Sequence, residues 1–171
     1  MLDLALFDLG VKVVRGRVGA SSVAHLAREN DAGIGVEPAG VYIIPDIGYY
    51  PDSIFAALTL LSQIDKVGEI REFFGDKPRL YSGKQKLSCR NCLKPAVIDK
   101  AREYADLFTA NKLDVLDGLR FEFDDAWLLV RASGTEQAIR ITVESASSEE
   151  AELLLDKGVR IVGTIIRRLT D

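Results

Sequence analysis

The densest chemistry in the sequence lies in ten consecutive residues, Arg131-Ala132-Ser133-Gly134-Thr135-Glu136-Gln137-Ala138-Ile139-Arg140. An arginine stands at each end of a short polar loop between two apolar runs. The small residues Ser133, Gly134 and Thr135 let backbone N–H groups converge on an oxyanion, and the two hydroxyls can donate to it as well. Arginine adds a planar fork that matches phosphate oxygens, and such charge-assisted bonds are about twice as strong as neutral ones. These are the parts of a phosphate cradle. The same residues also suit a plain connecting loop whose arginines pair with Glu136 or Glu144 across a sheet, and residue types alone leave both readings open.

Other candidates are weaker. Cys89 and Cys92 have the spacing Cys-x-x-Cys, but a structural zinc site wants four Cys or His ligands and the only histidine, His25, is remote in sequence. A redox pair would need a strand before it and a helix after it, which Leu87 to Tyr104 could supply, although nothing else in the pattern is thioredoxin-like; the alternative is two reduced thiols at a strand-to-helix turn. Glu37 reads as a turn carboxylate, His25 as a helix-surface residue, and Asp124-Asp125 as a hairpin turn.

Positioning the polar loop requires a sheet. Gly118 to Phe123, Ala126 to Ala132 and Ile139 to Glu144 read as three strands in close succession, which implies antiparallel pairing, and Arg79 to Leu87 reads as a fourth. Leu93, Val97, Ala101, Tyr104 and Phe108 mark one face of a helix. A last helix begins at the capping box Ser147 and Glu150, carries Ala151, Leu155, Val159, Val162, Ile166 and Leu169 on one stripe, and closes with Arg167 and Arg168 at its negative end. The expected unit is a four-stranded antiparallel sheet covered by two helices, an α+β arrangement.

Upstream, the pattern is α/β. Leu2 to Leu9 suggests a helix and Val11 to Arg15 a strand. Ser21 or Ser22 could cap a helix bearing Val23, Leu26 and Ala27. Gly33 to Glu37 and Val41 to Ile44 suggest two short strands around a turn made by Pro38, Ala39 and Gly40. From Asp52 or Ser53, the residues Ile54, Ala57, Leu58, Leu61 and Ile64 fall at the spacing of one buried helical face. The breaker stretch Gly75, Asp76, Lys77 and Pro78 divides the sequence into 1–76, a partial layered α/β unit, and 77–171.

With 22 basic against 26 acidic residues in 171, the net charge is -4, so no overall positive field attracts nucleic acid or an anionic membrane surface. No apolar run reaches the roughly 18 to 20 residues of a membrane-spanning helix, and Met1 is followed by Leu2, Asp3 and Leu4 rather than by a leader pattern, so a cytoplasmic location is expected.

The run from Arg131 to Arg140, followed by a strand ending at Glu144 and Ser145, resembles the phosphate-binding loop in the last domain of the α-D-phosphohexomutases, the family of phosphoglucomutase, phosphomannomutase and phosphoglucosamine mutase. The family has Pro where Gln137 stands. Gly10 to Gly19, Gly35 to Gly40 and Asp52 to Leu61 resemble the later half of the family's third domain, whose Gly-Glu-x-Ser-Gly turn reads sugar hydroxyls. Glu37 and Gly40 keep their places, while Ala39 replaces the serine, Val41 a frequent histidine, Val36 a glycine and Ala20 a polar residue.

The resemblance implies that Arg131, Ser133, Gly134, Thr135 and Arg140 hold the phosphate of a sugar phosphate, and that the turn Glu37, Ala39 and Gly40 meets the sugar. Alanine and valine accept no hydrogen bonds, so the phosphate loop is the more fully preserved of the two. The family carries its transferable phosphate on a serine in a Thr-Ala-Ser-His-Asn-Pro type loop and holds magnesium with an Asp-x-Asp-x-Asp-Arg loop, and neither occurs in this sequence. No metal is therefore expected on this chain, magnesium belonging to the complete family enzyme, and the chain alone should not complete phosphoryl transfer. The implied role is the ligand-binding part of a mutase assembled with an amino-terminal subunit; a stand-alone, non-catalytic phosphate-binding or regulatory module is the alternative. The truncated sheet of the first unit also suggests association with that subunit or with a second copy.

Overall fold

The computed structural model describes residue 6, residues 9–75 and residues 79–170. The helix expected over Leu2 to Leu9 falls largely outside them. The chain divides into two units, Met1–Lys77 and Pro78–Asp171.

In the first unit, helix α1 (Ala20–Glu29) packs on an antiparallel hairpin of β1 (Gly35–Glu37) and β2 (Val41–Ile43). Gly35 permits the approach, because a Cβ there would stand 2.8 Å from Cγ1 of Val23. Gly40 closes the turn at φ +86°, a conformation that favours glycine, and its N–H donates to the Glu37 carbonyl. Helices α2 (Ser53–Ser62) and α3 (Val67–Gly75) follow, α2 being capped by the Asp52 carboxylate, which accepts from the Phe55 N–H at 2.8 Å.

Two expectations fail here. Val11 to Arg15 forms no strand: among the described residues no strand pairs with it, the alternation alone does not make one, and Val11 and Val14 are exposed. The apolar face of α2 is not buried either, Ile54, Leu58 and Leu61 being 77%, 60% and 61% exposed. Its periodicity is real, but no described element covers it.

The second unit is built on a fully antiparallel sheet of β3 (Tyr81–Ser88), β4 (Lys112–Asp114), β5 (Leu119–Glu122), β6 (Ala126–Ala132) and β7 (Ala138–Ser145), in the spatial order β3-β7-β6-β5-β4. It has five strands, not four; the extra one, β4, is a three-residue edge strand on β5. The apolar face, with Leu119, Phe121, Leu128, Val130, Ile139, Ile141 and Val143, forms one core with α4 (Lys94–Glu103) and α5 (Ser148–Thr170). The expected single helix to Phe108 is broken after Glu103 and continues as a 3-10 turn, Ala105–Phe108, which ends at Thr109 in the left-handed region and seats the Phe108 ring on Phe121.

Helix α5 buries Ala151, Leu154, Gly158, Val162 and Ile165, a stripe turned by one position from the expected one, whose Leu155, Val159, Ile166 and Leu169 lie at its half-buried flank. The pivot is Gly158: a Cβ there would meet Leu128 Cδ1 at 3.0 Å and Ile141 Cγ2 at 3.1 Å, so the helix comes closest to the sheet where it has no side chain. Its cap is a relayed capping box. The Ser147 hydroxyl accepts from the Glu150 N–H, while the Glu150 carboxylate takes the Ser145 hydroxyl, whose oxygen accepts the Ser147 N–H.

Candidate functional site

The polar loop joins β6 to β7 at the end of the two most extensively paired strands, and its form follows from a few bonds. The Ser133 N–H donates to the Ala138 carbonyl and the Glu136 N–H donates to the buried Ser133 hydroxyl oxygen, closing a tight turn around Gly134 and Thr135. Gly134 and Thr135 are exposed, and neither N–H has a protein acceptor among the described residues. The exposed tip of the turn thus carries two backbone donors without a protein partner among the described residues, while the Ser133 hydroxyl oxygen takes the bond that shapes the turn.

The ends of the loop are set by register. Arg131 on β6 lies directly opposite Arg140 on β7, and Lys86 on β3 lies opposite Arg140 on its other side. Strand alternation puts all three on the face opposite Val130 and Ile141, away from the helices. Like charges directly opposite one another destabilise a sheet unless an anion stands between them. Two carboxylates supply part of that charge: Glu136 accepts from Lys86 Nζ at 2.9 Å and from Arg140 Nη2 at 2.5 Å, and Asp117 stands 3.7 Å from Arg131 Nη1. Lys86, and after it Arg140, hold the Glu136 carboxyl below the ordinary glutamate value. Each arginine engages its carboxylate through one nitrogen of a fork with five N–H donors, so donors remain on both.

Beneath the loop lies Lys94, the first residue of α4 and only 8% exposed. Its ammonium donates to the Ser133 carbonyl at 2.6 Å and to the Glu136 carbonyl at 2.5 Å. Beside it opens a hollow of about 420 Å³ whose wall includes Asn91, Lys94, Asp117 and Arg131.

The expected site residues therefore fall into two groups, one in each unit. Arg131, Ser133, Gly134, Thr135 and Arg140 are contiguous at one sheet end. Glu37, Ala39 and Gly40 form the β1–β2 turn, where the Glu37 carboxylate accepts from the Gly19 N–H at 3.3 Å ahead of α1. That contact gives α1 an acceptor at its start in place of the expected serine, since Gly19 is the capping residue. Lys86, Lys94 and Asp117 are additional charged groups that sequence did not single out, because only strand register and the packing of α4 bring them to the loop.

Cys89 and Cys92 are free, Cys89 buried and Cys92 exposed. Burial pushes the Cys89 thiol up, which leaves it less reactive than a free cysteine. Among the described residues no group of three or more His, Cys, Asp or Glu side chains could hold a metal ion, and no helix is long and apolar enough to cross a membrane. The described residues thus offer no carboxylate cluster of the kind that would hold the family's magnesium.

Comparison with known proteins agrees with both units. Residues 1–81 match the family described as phosphoglucomutase/phosphomannomutase, alpha/beta/alpha domain III, and residues 92–161 match phosphoglucomutase/phosphomannomutase, C-terminal domain. A probable phosphoglucosamine mutase of Pyrococcus horikoshii is 39% identical over 99% of the chain, and a phosphoglucosamine mutase of Methanococcus maripaludis is 34% identical over 93%. The chain spans 38% and 36% of the lengths of these relatives. A crystal structure of a phosphoglucomutase/phosphomannomutase family protein from Burkholderia thailandensis superposes with a TM-score of 0.78 at 24% identity, over 95% of this chain and 35% of that one. The chain belongs to the phosphohexomutase family and corresponds to its carboxy-terminal region.

Proposed function

We propose that this chain supplies the phosphate-recognising part of a phosphohexomutase, with Arg131, Ser133, Gly134, Thr135 and Arg140 holding the phosphate group of a hexose phosphate and the Glu37 to Gly40 turn meeting its sugar. The observation that carries this reading is the direct cross-strand pairing of Arg131 with Arg140 at the base of a loop whose exposed tip has two N–H groups without a protein acceptor among the described residues. An oxyanion seated there relieves the repulsion between the arginines and takes both backbone donors. The names of the relatives point to glucosamine phosphate among the hexose phosphates. Phosphoryl transfer is then a property of an assembly that also brings a phosphoserine and a magnesium loop, and the uncovered face of α2 is where further mutase sequence, or a second copy, would dock.

The test is an NMR titration of the chain. Inorganic phosphate should shift the amides of residues 131–140, and Arg131→Ala should weaken binding by about 1.5 to 3 kcal/mol, the worth of a hydrogen bond to a charged group. Phosphate that moves none of these amides, or moves them equally in the variant, removes the assignment. The isolated chain should show no turnover of glucose, mannose or glucosamine phosphates with magnesium and a bisphosphate activator.

A second reading, a non-catalytic phosphate-binding module, draws on Ala39 and Val41 in the sugar turn and on the engagement of Glu37 with Gly19. Glucosamine 1-phosphate separates the two: shifts at Glu37 and Gly40 in addition to the loop favour the mutase part, and shifts confined to the loop favour the module.

A further inference from the structure

Lys94 is an unusual place for a charge. It is nearly buried, it sits in the first turn of α4 where the helix dipole disfavours a cation, and it forms no ion pair with any described carboxylate. Buried charge is costly unless it is paired and hydrogen-bonded. Two carbonyls satisfy two of its three donors but carry no net charge to offset its own. The three other cations at the loop share Glu136 and Asp117; Lys94 has no such counterpart.

What Lys94 does is written in its two partners. The carbonyls of Ser133 and Glu136 bracket Gly134 and Thr135, which are exposed and whose N–H groups have no protein acceptor among the described residues. A carbonyl turned toward a bound phosphate would repel it. By drawing both carbonyls inward, the ammonium keeps the outer surface of the loop a surface of donors. Its positive charge also lies directly beneath the loop, in a setting of low dielectric where its field is little screened.

Resting on the reading of the loop as a phosphate site, we propose that Lys94 is a positioning residue of that site: its ammonium holds the Ser133 and Glu136 carbonyls away from the ligand and takes the bound phosphate as the counter-charge it otherwise lacks. The substitution that removes donors and charge at nearly constant volume is Lys94→Met. A thermal melt establishes that the variant folds, and a titration with inorganic phosphate should then show affinity reduced about tenfold or more, the scale of a lost bond to a charged group. A folded variant that binds phosphate within about twofold of the parent chain overturns the proposal.

Should Lys94→Met fail to fold, the parent chain still decides the question. The Lys94 ammonium nitrogen and the carbonyl carbons of Ser133 and Glu136 should shift with phosphate and saturate together with the Gly134 amide. A lysine that merely braces the fold would not follow the ligand. If the Gly134 and Thr135 amides respond and the Lys94 signals do not, this inference fails while the phosphate site stands. If none of them responds, the phosphate site itself is lost.

Discussion

In the second unit Leu128, Val130, Ile139, Ile141, Val143, Val97 and Val162 are completely buried, whereas in the first unit Ala27 and Ile43 are the buried apolar side chains among the described residues. The first unit instead exposes Val11, Val14, Ile34, Val36, Ile54, Leu58, Leu60 and Leu61. Both sequences are rich in apolar residues, so the contrast does not come from composition. It comes from closure. In the second unit two helices cover one face of a five-stranded sheet; in the first, the short helices α1 and α2 meet only a two-strand hairpin, and two-strand hairpins are at best marginal on their own. The candidate phosphate loop belongs to the closed unit, where its arginines are fixed by strand register, and the candidate sugar turn belongs to the open one.

The sharpest way to break this comparison is to separate the units. A chain of residues 79–170 should keep a cooperative thermal transition and its phosphate-induced shifts, while residues 9–75 alone should not fold cooperatively. In the intact chain, amides of β6 and β7 should exchange roughly a thousandfold or more slowly than those of β1 and β2, since local opening free energies run from near zero up to the global value. Equal protection in both units would mean that the first has a core of its own.

Single substitutions give a smaller but more specific contrast. Ile141→Ala removes a fully buried side chain from the centre of the sheet and should cost about 2 to 5 kcal/mol in denaturant unfolding. Leu58→Ala, on the exposed face of α2, should change stability by no more than about 0.5 kcal/mol. Leu58 should instead matter for association. Light scattering of the chain is expected to show self-association at high concentration, reduced by Leu58→Ser together with Leu61→Ser. A chain that is monomeric throughout, with a well-protected first unit, would contradict the account of α2 as a docking face.

The same contrast explains what could be read from sequence. Strands β5, β6 and β7 were legible because each alternates over a half-buried surface, and the hairpin turn at Asp124 was legible from turn chemistry. Strand β4 was not, because Lys112–Asp114 is too short and polar to show a period and exists only by pairing with β5. Val11 to Arg15 shows the reverse failure, a strand-like pattern without a partner strand among the described residues. In α2 the spacing located an apolar face and said nothing about what lies on it. In α5 the apolar arc is broad, and the choice between adjacent stripes was made by Gly158, a residue with no hydrophobicity to register. Of the candidate site, the loop and both arginines stood out by residue type. Lys86 and Lys94 did not, since a lysine in a strand or at a helix start reads as an exposed charge until register and packing place it.

The smallest expected effect concerns Glu136, and it links the charge row to the ligand. Its carboxyl is held below the ordinary value of 4.5, first by Lys86 and then by Arg140. Because the folded value is the lower one, the carboxylate contributes stability that is present above the unfolded value and is lost as pH falls through the folded value. Both side chains are largely exposed, so the contribution is small and weakens with salt. Glu136→Gln should therefore leave the stability curve unchanged in shape above about pH 5 and flatten its acid limb slightly. The site-resolved measurement is a carboxyl-detected NMR titration, in which Lys86→Met should raise the Glu136 midpoint more than Arg140→Met does. Phosphate should raise it as well, because an anion between Arg131 and Arg140 both competes for the guanidinium that Glu136 uses and repels the carboxylate directly. A midpoint that responds to Lys86→Met but stays fixed at saturating phosphate would show that the ligand, wherever it binds, does not enter the cation row.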